Sequence, residues 1–155
     1  MDNWSYSNNK MNLYTIGTNK KNAEDFFAIL TNNKIEKLLD IRINNKSQLL
    51  GFSKGQDLKY FCERCHNIKY EHIPLFAPTK ELLKRYQKDH DWPSYKNDFI
   101  RILTSRPIAQ IFQKIAENSS NICLLCSESQ SDKCHRKLVA EYISGLLKNI
   151  KISHL

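Results

Sequence analysis

The chain reads as a single α/β domain, a three-layer α/β/α arrangement around a mostly parallel sheet of roughly five strands. Three observations predict this. Short apolar runs alternate with segments of helical periodicity along nearly the whole chain. At 155 residues the chain suits one domain with one real core. No internal repeat or linker divides it, and with only 4 Gly and 4 Pro it does not read as fibrous or low-complexity.

Residues 1–11 are polar and read as a disordered arm ahead of a domain spanning 12–155. Leu13 to Ile16 is a strand, ended by the turn Gly17-Thr18-Asn19. Asn22 then caps a helix with Ala23, Phe26, Phe27 and Leu30 at helical spacing. Ile35 to Ile41 gives a second strand, and Asn44 to Ser53 a loop rich in Asn, Gln and Ser. Gln56 to Asn67 is helical, with Leu58, Phe61, Cys62 and Cys65 at i, i+3, i+4 and i+7. Ile68 to Ile73 is the third strand. Three helices follow: one capped by Thr79, one over Pro93 to Leu103, and one opened by Pro107 as a first-turn proline. Ile122 to Cys126 is the fourth strand. Asp132 or a neighbour caps a last helix with Leu138, Val139, Tyr142 and Leu146 inward, and Ile150 to His154 closes the sheet.

The net charge is +8 and the pI near 9.3. Such a surface allows nucleic acid, a nucleotide or another phosphate ligand as partner, although the basic residues are scattered and equally suit a solvated face. Five cysteines with no secretory signal ahead of them fit a reduced, cytoplasmic protein. No apolar run approaches the roughly 18 residues of a membrane span. The residues set no oligomeric state.

The chemistry concentrates in two strand ends. Cys126 and Glu128 close the fourth strand. Cys134, His135 and Arg136 open the helix that follows, where free amides and the helix dipole favour an anion and lower a thiol's pKa. Cys126 reads as exposed and reactive, and Cys123 as core, because strand residues three apart face opposite ways. Asp40 and Arg42 end the second strand on a shared face, with Ser47 on the loop beyond. In a parallel sheet both ends lie on the same edge, where ligands bind. Asp40, Cys126, Glu128, Cys134 and His135 are therefore the catalytic candidates. Gly17, Thr18, Arg42, Ser47 and Arg136 are the substrate-binding ones. Arg136→Ala is expected to weaken anion binding and keep the fold. The bland alternatives are an ion pair at Asp40–Arg42 and plain packing of Cys134 and His135.

Cys62-Glu63-Arg64-Cys65-His66 matches a c-type haem attachment pattern and could form half of a zinc site. Both cysteines fall on the apolar stripe of their helix, which favours core packing. No cofactor and no metal are expected.

These motifs resemble the DUF488 family. Thr15-Ile16-Gly17, Asp40-Ile41-Arg42 with Ser47, Tyr70, Tyr95, Leu124-Leu125-Cys126-Ser127-Glu128, Cys134-His135-Arg136 and the closing Ile152-Ser153-His154-Leu155 follow the family's order. Two places depart from it: Thr18 stands where the family often has His, and Leu75-Phe76-Ala77 where it often has Leu-Gly-Gly. The resemblance implies the fold and the place of the site, and leaves the reaction open. Three functions follow as expectations. The first is an enzyme acting on a nucleic-acid or other phosphate-bearing substrate at the Cys-x-Glu…Cys-His-Arg site. The second is a non-catalytic nucleic-acid-binding module. The third is thiol-dependent chemistry, loosely like rhodanese domains in layout, although Cys126 to Arg136 is longer than their loop.

Overall fold

The computed structural model describes residues 10–46, 51–128 and 132–155. The strands are β1 (Met11–Gly17), β2 (Lys37–Asp40), β3 (Lys69–His72), β4 (Asn121–Cys126) and β5 (Ile150–His154). They form one sheet in the order β3-β2-β4-β1-β5, and every pairing is parallel. The helices are α1 (Ala23–Asn32), α2 (Gly55–Tyr60), α3 (Lys80–Asp89), α4 (Trp92–Thr104), α5 (Ile108–Ala116) and α6 (His135–Leu146). The expected order of strands and helices and the parallel α/β class hold. Of the arm expected over residues 1–11, residues 1–9 lie outside the described residues, as does Ser47, and Met11 already belongs to β1, where it pairs with Ile150.

Strand composition explains strand position. β4 is a continuous buried run from Ile122 to Cys126, as a central strand covered on both faces must be. The edge strands β3 and β5 mix buried or half-buried with exposed positions. Side-chain alternation splits the core into two layers. Ile16, Leu38, Cys123 and Leu125 pack under α1 and α2 with Phe26, Phe27, Leu30 and Leu58. Leu13, Leu39, Ile122 and Leu124 pack under α3 to α6 with Phe99, Phe112, Leu138 and Val139.

This division positions the site. β1 and β2 feed α1 and α2 on one face, whereas β4, between them, feeds α6 on the other. Adjacent strands whose connections leave for opposite faces open a crevice at their carboxyl ends. The ends are level, with Gly17 beside Cys126 and Asp40 beside Leu125.

Three local expectations change. The helix after the second loop is α-helical only to Tyr60 and continues as a π-turn over Phe61–Cys65. The wider turn shifts the phase of everything after it. Cys62 stays in the core, but Cys65 rotates into solvent, off the predicted apolar stripe. Cys126 is fully buried rather than exposed, because the start of α6 covers it. The cap of α6 falls at Cys134, two positions past Asp132, and without a side-chain cap bond: extended backbone at Cys134 (φ −132°, ψ 143°) turns directly into the helix.

Candidate functional site

β2 ends in Asp40, a carboxylate with no solvent exposure. It accepts from Arg42 Nε at 2.8 Å and Nη2 at 2.7 Å, a bidentate pair of the kind that fixes both side chains. Its Oδ1 also accepts from the Arg42 amide, and its Oδ2 from the Tyr70 hydroxyl at 2.5 Å. Asn45 donates to Tyr70 Oη at 3.0 Å. Burial, and then the Asp40 charge, push the Tyr70 phenol far above its ordinary pKa, so it stays a donor. Burial disfavours charge on Arg42, but the bond to Asp40 outweighs it and holds the guanidinium cationic. Arg42 is 3% exposed, and among the described residues its Nη1 has no hydrogen-bond partner.

β4 ends in Cys126, and α6 begins just after Cys134. The two sulfurs lie 2.9 Å apart. Arg136, 1% exposed, donates Nε to Thr15 Oγ1 at 3.2 Å and Nη1 to Cys126 Sγ at 3.3 Å and to the Glu128 carbonyl. Thr15 in turn meets His154 Nδ1 at 2.7 Å, which ties β5 to the same cation. Burial alone would raise the Cys126 thiol. The hydrogen bond with Cys134 and the Arg136 charge overcome it and leave Cys126 below an ordinary thiol. The same hydrogen bond, with burial, pushes Cys134 up. Within the pair the proton is thus favoured on Cys134 and negative charge on Cys126, beside the guanidinium.

His135 joins the two strand ends. Its Nε2 lies 3.0 Å from the Ile41 carbonyl, between Asp40 and Arg42. A carbonyl only accepts, so Nε2 carries the proton and donates. Burial lowers the His135 pKa to about 4, despite the Ile41 bond that opposes it. The imidazole is therefore neutral near pH 7. A depressed histidine protonates in the unfolded chain first, so stability should fall as pH drops from about 6.5 towards 4. Because His135 is half-buried, the loss is expected to be on the order of 1–2 kcal/mol. His154, also lowered by burial, adds in the same direction. Urea midpoints at pH 7.5 and 5 should show the loss in the wild type and a smaller one in His135→Gln; equal losses would contradict this assignment.

A cleft of about 480 Å³ opens above these groups. Arg42, Cys134 and His135 line it, with Glu128, Lys80, Lys84 and Lys133 around them and Tyr86 and Tyr95 along one wall. Four cationic side chains face one carboxylate. Tyr95 stacks near-parallel on Trp92 at 5.3 Å and packs tilted against Tyr86 at 4.8 Å, which fixes the wall.

The predicted residues thus divide. Arg42, Glu128, Cys134 and His135 line the cleft; Asp40, Cys126 and Arg136 lie buried beneath it. The amides of Thr18 and Asn19 donate to the Cys126 and Ser127 carbonyls, and the open side of Gly17 is filled by Glu128 and Arg136. That loop therefore locks β1 to β4. Ser47 falls outside the described residues. Sequence reasoning missed Lys80 and Lys84 as cleft residues, Thr15 and Asn45 as partners, and Tyr70 as the donor to Asp40. Lys80 and Lys84 are one helical turn apart, which is a legible signal, but only the tertiary path of α3 brings that face over the sheet edge.

The other cysteines take no part. Cys62 and Cys123 are buried on the opposite face of the sheet, and burial pushes Cys62 up to about 12. His66 stacks on Phe27 at 4.5 Å. Among the described residues, no three His, Cys, Asp or Glu side chains gather as metal ligands would, and no helix is long and apolar enough to cross a membrane.

Comparison with curated proteins and with solved structures returned no match. A family model, the domain of unknown function DUF488, matches residues 22–143. That span runs from the Asn22 cap through Asp40-Ile41-Arg42 to the last turn of α6, and so takes in both strand ends that build the cleft. The chain belongs to the DUF488 family.

Proposed function

We propose that the protein is an enzyme acting on a phosphate-bearing substrate, a nucleotide or a nucleic acid, held in the cleft at the carboxyl edge of the sheet. The observation that carries this reading is Arg42. A guanidinium that is cationic, buried and clamped by Asp40 still has one nitrogen, Nη1, without a hydrogen-bond partner among the described residues. An unsatisfied buried donor is costly, and a phosphate oxygen would satisfy it. Lys80, Lys84 and Lys133 supply the remaining charge, and Tyr86 offers a face for a base. The first turn of α6 adds its dipole, since Cys134 makes no side-chain cap bond there.

In this reading Asp40 and Tyr70 position Arg42, His135 positions the start of α6 against β2, and exposed Glu128 is the carboxylate able to move a proton at the bound phosphate ester. All five cysteines are unbridged, which supports a reducing, cytoplasmic setting.

Calorimetry with inorganic phosphate, a nucleoside diphosphate and a short single-stranded oligonucleotide tests the binding. The wild type should bind at least one of them. Arg42→Met and Lys84→Glu should each weaken that binding about tenfold or more, about 1.4 kcal/mol. Lys84 is exposed, so its variant keeps the fold even where Arg42→Met does not. Binding of none of the three by the wild type would refute the reading. Binding of the oligonucleotide without turnover of any phosphate ester would replace it by a non-catalytic nucleic-acid module.

A further inference from the structure

We propose that Cys126 and Cys134 are a redox-active dithiol that reduces an anionic, low-molecular-weight disulfide, closing to a Cys126–Cys134 disulfide as it does so. This goes beyond the phosphate reading and does not depend on it.

The geometry is that of a pair. The sulfurs stand at 2.9 Å, and a disulfide bond needs about 2.05 Å. Both sit on rigid positions, the last residue of β4 and the cap of α6. Two packed thiols in an apolar core would need no charged neighbour, because buried cysteine behaves as a small hydrophobe. Here Arg136 Nη1 donates to Cys126 Sγ from 3.3 Å, a contact that stabilises a thiolate far more than a thiol, whose sulfur is only a weak acceptor. Both sulfurs belong to buried residues, Cys134 at 2% exposure and Cys126 at 0%, and they differ in which one borders the cleft. Cys134 lines the cleft, while Cys126 is wholly buried behind it. That is the division of labour between an attacking and a resolving sulfur. The approach to Cys134 passes Arg42, Lys84 and Lys133, so a disulfide bearing carboxylates is the favoured class.

The step balances. Cys134 passes its proton to the Cys126 thiolate along their hydrogen bond and attacks one substrate sulfur. The substrate S–S bond breaks, and the first half leaves as a thiolate. Cys126 then attacks Cys134; its proton goes to the second leaving half, which departs as a thiol. Two cysteines are oxidised by two electrons in all, and one substrate disulfide is reduced to two thiols.

The test uses the full reduced chain, freed of reductant and mixed with glutathione disulfide at pH 7. After an acid quench and alkylation, peptide mapping should find Cys126 joined to Cys134 and two glutathione thiols released per chain. Exposed Cys65 can only form a mixed disulfide with glutathione, so the internal Cys126–Cys134 link is the product specific to the pair. Cys65→Ser leaves the pair untouched and should release the same two thiols. Cys126→Ser, if folded by circular dichroism, should trap glutathione on Cys134. Modification confined to Cys65, with Cys126 and Cys134 recovered as free thiols in the native protein, would overturn the proposal. So would loss of thiol release in Cys65→Ser. A failed phosphate titration would leave this result unchanged, and the reverse also holds.

Discussion

Arg136→Ala should lower the unfolding free energy by about 3–5 kcal/mol, the cost of removing one partner from a buried charged cluster. Arg136 is 1% exposed and holds together Thr15 of β1, Cys126 of β4 and the Glu128 carbonyl of the connecting loop. Its loss leaves the Glu128 carbonyl, the buried Thr15 hydroxyl and the buried Cys126 sulfur without that donor, and a void where the largest fully buried side chain stood. This revises the expectation that the substitution would spare the fold. A buried guanidinium tied to three protein groups is a fastener first. Lysine cannot reproduce the fork, so Arg136→Lys should fall between the two and should raise the pH at which Cys126 becomes alkylatable. Urea unfolding measures the first effect and iodoacetamide kinetics the second. An Arg136→Ala protein within about 1 kcal/mol of wild type would show that the guanidinium is dispensable, in conflict with a cost of this size.

Gly17→Ala should be comparably damaging. An added Cβ would collide with the Glu128 carbonyl oxygen, which is backbone, and with Arg136 Nη1. Neither can retreat, because each is bonded to the other. Overpacking against backbone costs about 3 kcal/mol at its upper range. Gly145 provides the internal control. It lies in α6, exposed, with nothing within 4 Å of its added Cβ. Gly145→Ala should therefore stabilise by about 0.5–1 kcal/mol through helix propensity and a less disordered unfolded chain. Opposite shifts in Tm from the same substitution would place the difference in the packing at Gly17. Equal shifts would contradict it.

Much of the fold was legible because its signals are local. Period-2 and period-3.6 patterns marked each strand and helix, and the continuous run Ile122 to Leu125 marked a strand buried on both sides. The caps Asn22 and Thr79 were readable for the same reason: each side chain accepts a hydrogen bond from its own first turn. The parallel topology then brought Asp40 and Arg42 to the same edge as Cys126 and Cys134. What escaped depended on contacts distant in sequence. The burial of Cys126 depends on the start of α6 covering the end of β4. The exposure of Cys65 depends on a π-turn that the apolar spacing does not announce. The role of Tyr70 depends on an Asp40 thirty positions earlier. The cationic wall depends on the path of α3 over the sheet edge. Arg136 illustrates the limit most directly. The residue type suggested a ligand, and only burial distinguishes a group that grips a substrate from one that grips the protein.

In the proposed function the buried guanidinium of Arg42 keeps one nitrogen, Nη1, for a phosphate oxygen. Nitrogen-15 NMR of the arginine guanidinium groups, followed during titration with inorganic phosphate and a nucleoside diphosphate, tests it most directly. The Arg42 side-chain signals should shift in proportion to occupancy, whereas those of Arg136, sealed beneath the cleft, should move far less. Saturating phosphate that shifts only exposed arginines such as Arg101, and leaves Arg42 unmoved, would contradict it.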